Sequence, residues 1–235
     1  MNNERPRRYR PVASRSEPGQ VIHATLGPDI ATSRPGASLT TTTAARAALT
    51  PRQAERRRGI LRAATALAAR GGYEAVQMRE VAEGAQVALG TLYRYFPSKV
   101  HLLVAVAREQ LEQLHGQVRR RPPAGADPAG RVAEALTTAF QVLQREPRLA
   151  EAMVRALSFA DRSVSHEVDE VSRLTSAIVL EAAALPGPPG AEQQAALRVI
   201  GHTWHATLIG WLSGRSSLAE VRADLHSAAR LLTAH

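Results

Sequence analysis

Gly72-Tyr-Glu-Ala-Val-Gln-Met-Arg-Glu-Val-Ala-Glu-Gly-Ala-Gln-Val-Ala-Leu-Gly-Thr-Leu-Tyr-Arg-Tyr-Phe-Pro-Ser-Lys99 is the stretch of this 235-residue chain from which the rest is read. A short helix fits about Met78 to Gly84, and a second fits about Ala88 to Tyr95. Ala85-Gln86-Val87 leaves room only for a tight connection, and Phe96-Pro97-Ser98 interrupts the second helix. Two short helices joined by so few residues make a helix-turn-helix. Val81, Ala82, Val87, Leu92 and Phe96 supply the apolar contacts that lock the pair. Leu92 and Phe96, four apart, share one helix face, which leaves Leu89, Gly90, Thr91, Tyr93 and Tyr95 on or near the others. These short or flat side chains suit the floor and walls of a major groove. Thr91 can offer its methyl or hydroxyl to a base edge, the two tyrosine hydroxyls can reach phosphates, and Gly90 permits close backbone approach. Tyr93, beside the Leu92 face, also fits a core aromatic. Arg79 opens the first short helix and can meet a guanine or a phosphate. Lys99 opens the next helix and adds a positive charge to its terminal N–H groups.

Working outward, the pattern stays helical. Thr50 is an N-cap, Pro51 suits the first helical position and Gln53 completes a capping box. Ile60, Leu61, Ala64, Leu67 and Ala68 recur at helical spacing, and Gly71-Gly72 is expected to stop this first helix. Ser98 caps a long fourth helix carrying Val100, Leu103, Val104, Ala107, Leu111 and Leu114. Further helices are expected at about 128–145, 147–159, 163–184, 191–212 and 217–233, the last opened by a Ser217/Glu220 capping box. No strand alternation and no internal repeat appears. The expected fold is all-α, with nine helices in an N-terminal helix-turn-helix domain (50–98) and a C-terminal helical domain (99–235).

Charge divides the chain in the same way. The net charge is +9. Residues 51–121 hold thirteen Lys and Arg against six Glu, whereas residues 122–235 hold ten Arg against twelve acids. A polyanion partner for the first part alone follows; a general arginine bias would not stop near Arg121. The absence of cysteine excludes disulfides and thiolate metal sites. With no signal peptide and no long apolar run, a cytoplasmic, nucleoid-associated protein without membrane contact is expected. Residues 1–49, rich in Pro, Ser, Thr and Arg, read as a disordered tail. That tail is passive, or touches phosphates through Arg5, Arg7, Arg8 and Arg10, or reflects an overextended start. No nucleophile elbow, phosphate loop or metal triad is found, so the chain reads as a non-enzyme without a cofactor. The alternative from that class is an acyl-thioester-handling enzyme on a helical scaffold.

Gly90-Thr-Leu-Tyr-Arg-Tyr-Phe-Pro-Ser-Lys99 resembles the recognition-helix signature of the TetR repressors, and residues 51–105 are similar to their DNA-binding domain throughout. The resemblance implies a homodimer on a near-palindromic double-stranded operator, with Arg79, Leu89, Gly90, Thr91, Tyr93, Tyr95 and Lys99 at or near the DNA. A narrower resemblance rests on Gly71-Gly-Tyr-Glu-Ala-Val-Gln-Met-Arg79, Leu92-Tyr-Arg-Tyr-Phe-Pro-Ser-Lys-Val-His-Leu-Leu-Val104, Glu151-Ala-Met153, Phe159-Ala-Asp161 and Glu167-Val-Asp169. These are similar to the actinobacterial repressors of sterol catabolism, the KstR group. The pair Val100-His101, replacing the Glu common here in the wider family, fits that group. It implies release by a coenzyme A thioester of a sterol-derived acid; other TetR regulators answer to a drug or a fatty acyl thioester.

The resemblance also implies a ligand pocket among helices four to seven. Met153, Leu157 and Phe159 are its candidate lining, or else ordinary core. Arg148, Arg155 and Arg162, seven apart, could share a stripe at a basic mouth or simply face solvent. His202 and His205 have a chelating spacing but no third ligand, so no metal is expected. Trp204, Leu208, Trp211 and Leu225 on the last two helices are candidates for a dimer interface built from two helices per subunit, or else complete the subunit's own core.

Overall fold

A computed structural model describes residues 50–233, so the expectations for the 1–49 tail lie outside the described residues. The described chain forms nine α-helices and one 3₁₀ turn, with no strand. They are α1 (Pro51–Ala75), α2 (Met78–Gly84), α3 (Leu89–Tyr95), α4 (Lys99–Arg120), α5 (Pro128–Arg145) and α6 (Pro147–Ser158), then the 3₁₀ turn (Arg162–Val164), α7 (Ser165–Ala183), α8 (Ala191–Leu212) and α9 (Leu218–Arg230).

The starts follow from local chemistry. Thr50 Oγ1 accepts from Gln53 N at 3.3 Å while Gln53 Oε1 accepts from Thr50 N at 2.8 Å, which closes a capping box. Ser217 and Glu220 do the same at α9. Ser98 Oγ caps α4 through His101 N, and Asp127 caps α5 through Gly130 N. Each such cap contributes about 1 kcal/mol by satisfying N–H groups that have no partner within the helix.

Two boundaries differ from the sequence reading. The Gly71-Gly72 pair bends α1 rather than ending it, and a further turn runs to Ala75. Gly72 has φ +70°, which side-chain-bearing residues rarely adopt, and is buried. The segment expected to open α7 at Ser163 forms the 3₁₀ turn instead. Asp161 accepts from Ser163 N at 2.8 Å and from Ser163 Oγ at 2.6 Å, so the acid captures the first turn in a tighter coil.

Two apolar cores result. The first joins α1, α2 and α3 to the first half of α4 (Leu102–Ala107) and to Leu149, Ala152, Met153 and Ala156 of α6. The second gathers α5, α7, α8 and α9 around Phe140, Ile200, Leu225 and Leu232. The first core runs across residue 98: α6 packs most extensively on α1, far from it in sequence. The capping and packing of α4 therefore belong to both segments of the chain.

Replacing Gly72 by Ala should destabilise the fold by about 2 kcal/mol. A Cβ there would lie 2.5 Å from Glu151 Oε2, and the left-handed φ disfavours it independently. Urea denaturation is the check; an unchanged midpoint would contradict the constraint.

Candidate nucleic-acid interface

The turn between α2 and α3 depends on Gln86, whose φ of +54° is left-handed. Val87 N then donates to Ala82 O at 2.9 Å and ties the two helices together. Val81, Ala82, Leu92 and Phe96 are buried, as the spacing predicts, and Val87 packs at the edge of that core. Burying Leu92 and Phe96 turns the opposite face of α3 outward.

On that outer surface the sequence-predicted residues separate into three groups. Arg79, Gly90 and Tyr93 are exposed, Tyr93 at 45%; a core position for Tyr93 does not fit. Leu89, Thr91 and Tyr95 are half-buried, and Tyr95 lies against Phe96 with ring centroids 6.5 Å apart. Their side chains are held by the core while one edge stays accessible. Lys99 is drawn elsewhere. Its ammonium sits 4.1 Å from the centre of the Tyr73 ring and 3.9 Å from Glu74 Oε2. Burial lowers its pKa, Glu74 offsets part of this and Arg155 adds to it. The positive charge expected to project from the start of α4 is instead folded onto Tyr73.

Arg94, Arg52 and Arg56 are exposed on α3 and on the first turns of α1, and were not among the sequence candidates. Arg94 stands inside the quoted signature between two tyrosines, so a signal was available. The guanidinium of Arg57 lies 5.4 Å from the Phe96 ring centre, just past the end of α3. No periodicity links residues so far apart in sequence.

Gly90 is the most informative position. A Cβ built there meets nothing within 4 Å. Its lack of a side chain therefore serves no packing need within the described chain, although glycine disfavours a helix relative to alanine, by up to roughly 0.5–1 kcal/mol in a helix interior. An outward face kept bare at that cost is what close approach of another molecule's surface requires.

Behind this surface, α6 holds the joint between α1, α2 and α4. Tyr73 N donates to Glu151 Oε2 at 2.8 Å. Arg155 lies over both the Tyr73 ring (4.7 Å) and the Phe159 ring (5.4 Å), and its Nη2 pairs with Glu74 Oε1 at 2.8 Å. Arg148 Nη1 donates to Arg70 O. Exposed ion pairs such as Arg155–Glu74 contribute about 0–1 kcal/mol. The charge-assisted bond to a backbone N–H contributes about 1.5–3 kcal/mol, so Glu151 dominates the joint. Burial raises the Tyr73 pKa, with Arg155 opposing it, and the phenol stays neutral. His101 adds a second tie: Nδ1 pairs with Ser98 Oγ at 2.9 Å and Nε2 with Ser163 O at 3.2 Å.

The candidate lining residues fall at this joint. Met153 is buried in the first core, Leu157 is half-buried there, and Phe159 is 56% exposed, edge-on to Tyr73 with centroids 5.9 Å apart. The reason is the orientation of α6, which turns this face to α1. Arg148 and Arg155 are engaged at the joint and Arg162 belongs to the 3₁₀ turn, so the three form no rim to a cavity. A narrow apolar cleft lies elsewhere, lined by Leu111, Leu114, Ala135, Leu136, Ala139, Thr175, Ile178 and Trp204. It arises because α4 and α5 each pack on α7 rather than on each other.

The candidate dimer residues are also used within the chain. Leu208 and Leu225 are buried, Trp211 meets Phe140 edge-to-face at 5.1 Å, and Trp204 packs on the second core. The face α9 turns to α5 and α8 consumes Leu225. Val199, His202 and Ala206 are among the residues that α8 leaves open, beside Arg198. His205 is half-buried, 3.4 Å from Ser158 Oγ, and its pKa is lowered by burial and then by His202. Among the described residues no three metal-ligating side chains gather, and no helix is long and apolar enough to cross a membrane.

Comparison with known proteins agrees with this geometry. Residues 60–106 match the bacterial regulatory proteins of the tetR family, and residues 125–232 match the tetracyclin repressor-like C-terminal domain. The chain is 42% identical over 221 residues to the HTH-type transcriptional repressor KstR of Rhodococcus jostii strain RHA1, covering 94% of this chain and 95% of that one. A crystal structure of a TetR transcriptional regulator from Rhodococcus sp. RHA1 superposes with a TM-score of 0.73 at 35% identity, over 78% of this chain and 98% of that one. The fold also matches Thermus thermophilus FadR in complex with lauroyl-CoA, with a TM-score of 0.56 at 22% identity, over 75% and 93% of the two chains.

If Gly90 is kept bare for DNA, Gly90→Ala should raise stability by about 0.5 kcal/mol while weakening operator binding at least tenfold. Thermal melting and fluorescence anisotropy on the same preparation test both halves. A variant that is more stable and binds DNA unchanged would remove Gly90 from the interface.

Proposed function

The chain belongs to the TetR family of bacterial regulatory proteins, and within it to the KstR group; from that premise we propose a ligand-responsive DNA-binding repressor of sterol-catabolism genes, released by a coenzyme A thioester of a sterol-derived acid. The observation that carries the DNA-binding part is the outward face of α3, where Gly90 is bare and Tyr93 exposed while Leu92 and Phe96 are locked inside. In this reading Arg79, Leu89, Gly90, Thr91, Tyr93 and Tyr95 meet the groove or its phosphates, joined by Arg94. Lys99 acts mainly through Tyr73. The sterol branch rests on membership of the KstR group.

The functional unit is a homodimer on a near-palindromic operator. Its recognition helices stand about 34–36 Å apart, one turn of DNA. The open face of α8, with Val199, His202 and Ala206, is the surface that pairs the subunits. The inducer enters the cleft between α4 and α5 over α7, which must widen to admit it. Widening displaces α4, whose first turn is tied to α1 through Lys99 and Tyr73 and to the 3₁₀ turn through His101. The joint held by Glu151 and Arg155 passes that displacement to α2 and α3. A ligand shifts the equilibrium only as far as it distinguishes the two arrangements, and DNA must weaken ligand binding by the same factor.

Fluorescence anisotropy on the duplex upstream of its own gene tests the reading. A sterol-acid coenzyme A thioester should release the DNA, and the free sterol acid should not. Release by a fatty acyl thioester instead would move the chain to another ligand branch, and tight DNA binding that no thioester weakens would discard the sterol assignment. Glu151→Ala tests the route. It should keep DNA binding within about threefold while cutting the ligand-induced loss of DNA affinity at least threefold. An unchanged ligand effect would show that α6 does not transmit it.

A further inference from the structure

Lys99 is the only lysine of the chain. The 30 Lys and Arg residues are otherwise all arginine, and there is no cysteine. Apart from the amino terminus, its ε-amine is therefore the one amine or thiol that an acylating molecule meets. Positive charge does not explain why a lysine stands here. The Arg155 guanidinium lies 4.7 Å from the centre of the same Tyr73 ring, and it pairs with the other oxygen of Glu74 at 2.8 Å. Lys99 makes the same two contacts at 4.1 Å and 3.9 Å. A guanidinium thus already serves this ring and this carboxylate, yet a chain that uses arginine at every other basic position has an ammonium at the first residue of α4.

What lysine has and arginine lacks is an amine that titrates. Arginine stays protonated in proteins, whereas a partly buried lysine gives up its proton more readily and takes an acyl group. The surroundings of Lys99 favour the free amine. Burial lowers its pKa; Glu74 and Glu151 offset part of this and Arg155 adds to it. At a given pH more of the nucleophilic form is present than for a lysine in water. The side chain is 20% exposed, which leaves an approach for a small acyl group while most of the stem is held against α1.

We propose that Lys99 is a covalent modification site, acylated on its ε-amine by a short-chain acyl coenzyme A thioester, and that this acylation weakens DNA binding without any ligand in the cleft. The effect on DNA rests on the DNA-binding reading above; the acylation itself does not. The ammonium first loses a proton to water. The amine lone pair then attacks the thioester carbonyl carbon, the N–C bond forms, the C–S bond breaks, and the thiol leaves with the second proton of the amine. The product amide is neutral. It keeps neither the attraction to the Tyr73 ring nor the pairing with Glu74, so the first turn of α4 loses its tie to the bend of α1.

The test treats the full-length protein with acetyl coenzyme A at about pH 8, well below the ordinary lysine pKa of about 10.4. Trypsin does not cut after an acetylated lysine, so the peptide Tyr95–Arg108 should appear in place of Tyr95–Lys99 and Val100–Arg108. Lys99 should react no more slowly than Nα-acetyllysine amide in the same tube. Acetylation of the amino terminus falls on a different peptide. Fluorescence anisotropy on the duplex upstream of the gene should then show DNA affinity at least fivefold weaker once Lys99 is acetylated. Lys99→Gln should reproduce the loss. Lys99→Arg should bind DNA within threefold of the untreated protein, before and after the same treatment, and thermal melting checks that both variants fold. A Lys99 that reacts more slowly than the free amide, or DNA affinity that survives its acetylation, overturns the proposal. So does a fivefold loss in Lys99→Arg, whether it comes from the substitution itself or from the treatment. Peptide mapping uses no DNA, so a failure of the DNA-binding reading shows separately, in the untreated protein.

Discussion

The carboxylate of Glu151 accepting the N–H of Tyr73 is the contact on which the rest of the arrangement depends. It is possible only because Gly72 takes a left-handed conformation and has no side chain where that carboxylate sits. The bend in α1 turns Tyr73 and Glu74 toward α4 and α6. Tyr73 then receives Lys99 and Arg155 around its ring, and Glu74 receives their charges. Aromatic–cation contacts contribute about 0.5–2 kcal/mol each. Together with the Glu151 bond, they give α6 a defined hold on the helices that carry the reading surface.

That hold matters because the outward face of α3 and the cleft are built on different cores. The outward face of α3 is built on the first core, whereas the cleft is lined from the second, with α4 contributing to both. A rigid α4 fixed at its first turn by Ser98, Lys99 and His101 cannot move at the cleft without loading those ties. Packed cores transmit such displacements because they have little free volume to absorb them.

The bare face of α3 is a local departure from good folding chemistry. A Cβ at Gly90 would meet nothing within 4 Å, so the glycine answers no contact inside the described chain. Departures of this kind collect at functional sites.

The sequence by itself determined the nine helices, their caps and the helix-turn-helix, because these rest on interactions within a few residues: Thr50 with Gln53, Ser217 with Glu220, Leu92 with Phe96. The family followed from the same short-range pattern around Gly90–Lys99. Helical spacing tells that a face is apolar but not which neighbour covers it. Met153 and Leu157 therefore read as pocket lining or as ordinary core, and they pack toward α1; Leu208, Trp211 and Leu225 read as an interface or as the subunit's own core, and they pack into that core. Lys99 read as a phosphate contact, yet an aromatic ring twenty-six residues earlier captures its ammonium. Only the tertiary structure could decide these, since each depends on a partner brought close by packing from far along the chain, as Tyr73 is to Lys99 and Phe140 to Trp211.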